Sequence, residues 1–164
     1  MRVRYAPRTV TGVIELVRSA DVPAPPDRVW AVVADPRRAP DWFSFAERTE
    51  VLSGSGVGEL RRQHGRWGAR RSEIDQEVIA YAPGELIAWK HVAERLDGKP
   101  APVFSSSSVF RIELAPVDGG TRVTLRVQQE PASFLRGLAM RLMGARHITE
   151  RLEESLVRLP GAVD

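Results

Sequence analysis

The residues in this sequence that are best suited to chemistry are two histidines, His64 and His91, each within a strand-like segment. A neutral imidazole can take or give a proton near physiological pH, so either residue is a candidate for general acid–base catalysis. The competing interpretation is that each is a half-exposed strand residue that hydrogen-bonds a neighbour. His147 lies among charged residues of a predicted helix, and we expect it at the surface.

Other kinds of catalytic chemistry have no support in the residues. The chain has no cysteine, which excludes thiolate nucleophiles and disulfides. It has no Gly-x-Ser-x-Gly elbow and no closely spaced histidine pair of the kind that binds zinc. The glycines of residues 54–58 fit a hairpin turn rather than a phosphate-binding loop. We therefore expect no metal site and no cofactor.

Length and composition indicate one globular domain. Of the 164 residues, 43% are hydrophobic and 27% are charged, an ordinary balance for a globular protein. We assign the domain to residues 10–160 and treat residues 1–9 as an extension, either disordered or an added edge strand. No apolar run reaches the roughly 18 residues of a membrane span, and no signal-peptide core follows the basic N-terminus. We expect a cytoplasmic protein, monomeric or homodimeric.

The basic charge of the chain is small and dispersed. Lys and Arg total 24 against 21 Asp and Glu, a formal net charge of +3, and the two signs interleave, which argues against nucleic acid as a partner. The densest basic cluster surrounds a predicted hairpin tip at residues 65–68 and comprises Arg61, Arg62, Arg66, Arg70 and Arg71. We interpret it as a solvated loop and edge strand, with anion or RNA contact as the alternative.

The elements that must position these residues follow from periodicity and turn signals. A first strand at 10–20 precedes two short helices, near 26–34 and 37–42, the first opened by Pro25-Pro26. Apolar alternation and turn residues then predict six strands, at 49–53, 58–64, 72–81, 86–93, 103–114 and 121–128. Leucines at three- and four-residue steps predict a long helix from about 131 to 159, ended by Pro160-Gly161. The sequence thus predicts an α+β fold in which a curved antiparallel sheet of six to seven strands wraps around a long C-terminal helix.

Strand alternation predicts which side chains face a cavity between sheet and helix. It puts Arg62 and His64 on the inner face of one strand, and Trp89 and His91 on the inner face of another. The predicted ligand-binding residues are Trp42, Arg62, Gln76, Trp89, Phe104, Ser106, Ser108, Phe110, Leu138, Leu142 and Met143. An apolar wall with few polar groups suits a flat, hydrophobic, partly oxygenated molecule. Each residue also has a plainer interpretation, as core, gap filler or ordinary strand serine.

Four stretches of the chain resemble one family. They are residues 22–30 (VPAPPDRVW), 41–43 (DWF), 78–89 (VIAYAPGELIAW) and 109–125 around DGGTRVT. With the order of elements, they are similar to the START-like or Bet v 1-like SRPBCC superfamily, and within it to the polyketide cyclase/dehydrase group of small bacterial proteins. The resemblance implies the helix-grip fold.

The resemblance also implies a function. The first expectation is binding of a polyketide, lipid or isoprenoid-like molecule in the cavity between sheet and helix. A second is a polyketide cyclase/dehydrase that uses a pocket histidine for acid–base catalysis. A third is a protein or RNA interaction module with a filled core, as in some relatives. Cavity volume distinguishes the third from the other two.

Overall fold

The computed structural model describes residues 12–103 and 105–164, so the predicted extension 1–9 and Phe104 lie outside the described residues. The strands in this part of the chain are β1 (Ile14–Val22), β2 (Arg48–Ser53), β3 (Leu60–Trp67), β4 (Arg70–Ala82), β5 (Leu86–Leu96), β6 (Lys99–Pro100), β7 (Ser105–Val117) and β8 (Gly120–Pro131). They match the predicted strands with the two-residue β6 added.

The strands form one antiparallel sheet in the order β1-β8-β7-β5-β4-β3-β2, with β6 paired to β5 outside this path. The β7–β8 hairpin turns where the sequence predicts it, because Gly119 supplies the positive φ of 79° that the tight turn needs. On β8, Val123, Leu125 and Val127 are buried while their neighbours are more exposed. We call the face on which these three residues lie the inner face of the sheet.

Short helices follow β1, as predicted. They are α1 (Pro26–Val33), a single 3-10 turn (Pro36–Arg38) and α2 (Ala39–Trp42). Proline begins α1 at no cost in hydrogen bonds, because the first N–H groups of a helix have no partner within it. Val29, Val32 and Val33 form its buried side.

The C-terminal helix runs without a break through α3 (Phe134–Ala139), a π-helical segment (Met140–Gly144) and α4 (Ala145–Val163). The prediction that Pro160-Gly161 ends it is wrong, since Pro160 lies inside α4. Two arginines account for the extra turn. Arg28 Nη2 donates to the carbonyl of Val163 at 3.2 Å, and Arg38 Nη2 donates to the carbonyl of Ala162 at 2.8 Å. Cations that bind the last carbonyls of a helix stabilise its C-terminus.

Only the C-terminal half of this helix is anchored. In α4 the buried side chains are Leu152, Ser155, Leu156, Leu159 and Val163. In α3 Gly137 alone is buried, and the π-helical segment has no buried residue. We call residues 134–144 the lifted end, because their apolar side chains do not pack into the core. Among the described residues, no helix combines the length and the apolar character needed to cross a membrane.

Candidate ligand-binding site

An aromatic cluster fills the centre of the inner face. The rings of Trp89 and Phe110, on neighbouring strands, are stacked with centroids 4.9 Å apart and planes at 9°. Phe43, which follows α2, meets Phe110 edge-on at 5.1 Å, and Phe45 meets it at 5.8 Å. Trp42 packs against Phe43. The predicted residues Trp42, Trp89 and Phe110 are thus brought together, with two phenylalanines that the alternation argument did not include.

Beside the aromatic cluster lies a buried polar strip of Arg61, Gln63 and Gln76. Gln76 Nε2 donates to Oε1 of Gln63 at 3.0 Å, and Gln63 Nε2 donates to the carbonyl of Phe45 at 3.2 Å. Arg61 is paired with Glu59, and its Nη2 donates to the carbonyl of Ala34 at 3.3 Å. Each buried group therefore has a partner within the protein, which burial requires.

The enclosed space at this strip is small. A cavity of ≈ 20 Å³ lies between α1, α2 and strands β2 to β5, room for about one water molecule. Its walls include Trp42, Phe43 and Trp89 together with Arg61 and Gln76. A drug-sized ligand needs a pocket of roughly 300 Å³ or more. This cavity is therefore too small for a ligand of that size.

A bulge in β5 brings His91 and Glu94 to the same face. Gln76 pairs with His91 and Asp75 with Ala93, so Val92 is the extra residue. Since Gln76 and Ile74 lie on the inner face, their partners His91 and Glu94 do too. His91 Nδ1 lies 2.7 Å from Oε1 of Glu94, and this hydrogen bond lowers the pKa of Glu94. The carboxylate can only accept, so Nδ1–H donates, and Nε2 of the neutral ring is left as an acceptor or base.

Two predicted site residues lie on the opposite face from the one expected. On β3 the buried positions are Arg61, Gln63 and Gly65, while Arg62 and His64 point to the outer face. His64 Nε2 lies 3.2 Å from Glu50 Oε1 and 3.0 Å from Arg48 Nη2. The predicted orientation of Arg62 and His64 is therefore wrong.

The lifted end also departs from the prediction. Leu138, Leu142 and Met143 were expected to line the cavity, yet all three are exposed. The Leu-rich periodicity correctly predicts a helix, but it cannot tell which turns of that helix reach the sheet.

The serines of β7 divide between two environments. Ser108 is buried on the inner face next to Phe110, as predicted. Ser106 is exposed, because the register shifts between Ser105 and Ser107 and strict alternation fails there. Phe104, the remaining predicted contact, lies outside the described residues.

Asp75 is the centre of an ionic network on the outer face. Arg62 Nε donates to its Oδ1 at 2.7 Å and Arg95 Nη2 at 2.9 Å. The hydrogen bond from Arg62, ahead of that from Arg95, lowers the pKa of Asp75 from 3.8 to about 2. A lowered carboxyl pKa contributes stability above pH 3.8, which is lost as the pH falls toward 2.

We expect Asp75→Asn to reduce the free energy of unfolding at neutral pH by about 1 kcal/mol, because solvent screening weakens a partly exposed network. Urea unfolding at neutral pH and between pH 4 and pH 2 measures this. Between pH 4 and pH 2, the free energy of unfolding should fall more for the wild type than for the variant. Equal losses would show that Asp75 does not carry the acid dependence.

The sequence model of the family described as "Polyketide cyclase / dehydrase and lipid transport" matches residues 13–163. The chain belongs to this family. The match extends from β1 through the last turn of α4, so it includes both the aromatic cluster and the polar strip. No curated protein matches the chain significantly.

Solved structures share the polyketide cyclase/dehydrase fold of this chain at low sequence identity. TTHA0849 from Thermus thermophilus is 18% identical with a TM-score of 0.72, covering 92% of this chain and 97% of its own. Ara h 8.0201 is 14% identical with a TM-score of 0.68, covering 93% and 98%. A protein from Rhodobacter sphaeroides is 23% identical with a TM-score of 0.66, covering 97% and 96%. At these identities the likeness shows the fold alone, and it confirms the Bet v 1-like helix grip.

Sequence reasoning missed Arg61 and Gln63, although one residue carried the signal. Gly65 has the same strand parity, and a Cβ there would lie 2.6 Å from the carbonyl oxygen of Phe45. A glycine within a strand marks close backbone approach, so Gly65 identifies the packed face of β3. The predicted parity, which puts Arg62 and His64 inside, also puts Leu60 inside, yet Leu60 is exposed at the start of the strand.

Proposed function

We propose that this protein binds a hydrophobic small molecule, of the polyketide, lipid or isoprenoid-like class, between the inner face of its sheet and the lifted end of its helix. The observation that carries the proposal is a contrast between the inner face and the lifted end: the inner face is rich in aromatic and polar groups, whereas the lifted end is scarcely packed. The inner face offers stacked aromatic rings with the polar groups of Ser108 and His91 beside them. The helix segment of residues 134–144 buries only Gly137.

The burial of the inner face decides how such a ligand enters. Because Trp89, Phe110 and Ser108 are already buried, the ligand occupies space that opens when the lifted end moves. That motion costs little burial, since Gly137 is the one buried residue of α3 and the π-helical segment. Ligands that require such an opening bind with a measurable change in conformation.

Native mass spectrometry of the purified protein, beside a denatured control, tests the proposal. We expect a co-purifying hydrophobic molecule or, failing that, a rise in melting temperature with members of a panel of quinones, polyketides and fatty acids. A clean apo mass with no thermal shift would contradict it.

A pair of serine substitutions tests the location. Ser108→Leu adds bulk next to Phe110 and should weaken binding of the ligand found by about tenfold or more. Ser106→Leu, two residues along the same strand but exposed, should leave binding unchanged. Equal effects would place the ligand elsewhere.

A second candidate function, general acid–base catalysis, is favoured by the His91–Glu94 pair. Nε2 of His91 would take the proton from a carbon next to a carbonyl, and the electron pair of that C–H bond would move to the carbonyl oxygen as an enolate. Nδ1–H remains hydrogen-bonded to Glu94, which stabilises the resulting imidazolium. This is the proton abstraction with which an aldol cyclisation begins.

The two histidines provide a matched test of catalysis. In deuterated water, exchange of the α-protons of a cyclic diketone can be followed by NMR. We expect His91→Ala to slow the protein-catalysed exchange by about a hundredfold, and His64→Ala, on the outer face, to leave it unchanged. Loss of exchange in both variants, or in neither, would rule out His91 as the base.

The third expectation, an interaction module, has the small cavity in its favour. It predicts that the purified protein is free of ligand and that its function depends on an exposed surface. The ligand test above therefore separates it from the first proposal.

A further inference from the structure

The lifted end presents a large exposed apolar surface. Phe134 and Leu135 are 85% and 75% exposed, and Leu142 and Met143 are 72% and 76% exposed. Leu138, one turn from Phe134, is about half exposed. Single exposed apolar residues are common, but a contiguous group on one helix marks an interaction surface.

The same helix segment is rich in arginine and contains no Asp or Glu, although Arg146 near its end pairs with Glu150. Between Glu130 and Glu150 the chain contains no Asp or Glu. The basic residues of that interval are Arg136, Arg141, Arg146 and His147. An apolar helix face flanked by arginine is typical of helices that lie in the interface of anionic membranes.

The tip of the β3–β4 hairpin extends this surface. The ring of Trp67 meets that of His147 edge-on at 4.9 Å, which joins the hairpin to the first turn of α4. Trp67 is about half exposed, and Trp prefers the interface between water and hydrocarbon. Arg66, Arg70 and Arg71, three members of the basic cluster, lie beside Trp67 on this hairpin, and Arg66 and Arg70 are paired with Glu47 and Asp97. The prediction that the whole cluster is solvated is wrong for Arg61, which is buried.

We propose that this end of the molecule, formed by residues 134–146 and Trp67, docks on the surface of an anionic phospholipid bilayer. A second copy of the chain is a poor occupant, because it would bring arginines against arginines. A rigid protein partner would need pockets to match Phe134 and Leu135, which protrude rather than line a groove. A bilayer needs none, because its apolar interior is fluid. The proposal does not depend on what the inner face holds.

Cosedimentation with lipid vesicles tests the docking surface. The probes are vesicles of phosphatidylcholine alone and of an equal mixture of phosphatidylcholine and phosphatidylglycerol. We expect binding to the anionic vesicles at least about tenfold tighter than to the neutral ones, because several arginines each contribute to attraction by an anionic surface. Equal binding to both vesicles, or binding to neither, would overturn the proposal.

Paired variants locate the contact. Phe134→Ser with Leu142→Ser should weaken binding to anionic vesicles by at least about tenfold. Val157→Ser, an exposed apolar residue of the anchored half, should not. Arg141→Gln should weaken binding by about fivefold, and Arg158→Gln should leave it unchanged. Circular dichroism and melting temperature check that all four variants fold.

The remaining outcomes count against the proposal. If the Phe134/Leu142 variant binds vesicles as tightly as the wild type, the lifted end is not the contact. If sedimentation velocity instead shows a dimer that this variant abolishes, the surface is an interface between two copies of the chain. By contrast, a ligand-free protein that still binds anionic vesicles would support this proposal while contradicting the small-molecule one.

Discussion

Replacing Leu152 with alanine should lower the free energy of unfolding by about 3 kcal/mol or more. The Leu152 side chain is fully buried, with an exposed fraction of 0%, and it belongs to the stretch of α4 that packs against α2 and β1. Removing it leaves a cavity among close-packed neighbours that cannot fully collapse. Urea denaturation of the purified variant measures the loss.

The matched control lies earlier on the same helix. Leu142 is 72% exposed, and leucine and alanine have similar helix propensities. We therefore expect Leu142→Ala to change the free energy of unfolding by no more than about 0.5 kcal/mol. Comparable losses in the two variants would mean that the lifted end packs onto the sheet in solution.

Replacing Arg61 with leucine should cost about 3–5 kcal/mol. Arg61 and Glu59 form an ion pair whose side chains are only 7% and 12% exposed. Without the guanidinium, the Glu59 carboxylate remains buried with no cation, and the carbonyl of Ala34 loses a donor. The desolvation of an unpaired charge, rather than the strength of the pair, sets this magnitude.

The exposed pair Arg66–Glu47 provides the comparison for Arg61. Its side chains are 56% and 60% exposed, so Arg66→Leu should cost no more than about 1 kcal/mol. Adding Glu59→Gln to Arg61→Leu should recover part of the lost stability, because the second change removes the unpaired charge. If Arg61→Leu and Arg66→Leu cost the same, Arg61 is not buried as described.

The fold could be predicted from the sequence because its signals are local. The Asp118-Gly119-Gly120 turn needs only the dihedral freedom of glycine, and Pro25-Pro26 begins α1 by removing donors that had no partner. Apolar alternation on β8 and the repeat of leucines in α4 likewise depend on neighbours within a few residues. These features determined strand order along the chain, the helix grip and the aromatic residues Trp42, Trp89 and Phe110.

Features that depend on register were decided by the tertiary structure. One extra residue, Val92, turns Glu94 to the face of His91, whereas strict alternation puts the two on opposite faces. A single step of parity on β3 exchanges Arg62 and His64 for Arg61 and Gln63. The bulge at Val92 leaves no mark in composition or periodicity, whereas the parity of β3 is marked only by Gly65.

The C-terminal helix shows the same division. Its sequence predicts the helix, because helical periodicity is a property of one segment, although the helix begins at Phe134 rather than at about 131. The tertiary structure decided which turns of the helix are buried. It also decided that Pro160 lies inside the helix, because Arg28 and Arg38, distant in the chain, bind its last carbonyls. The sequence by itself therefore determined the helix grip, while the packing of the sheet and the helix decided what the grip encloses and what it leaves exposed.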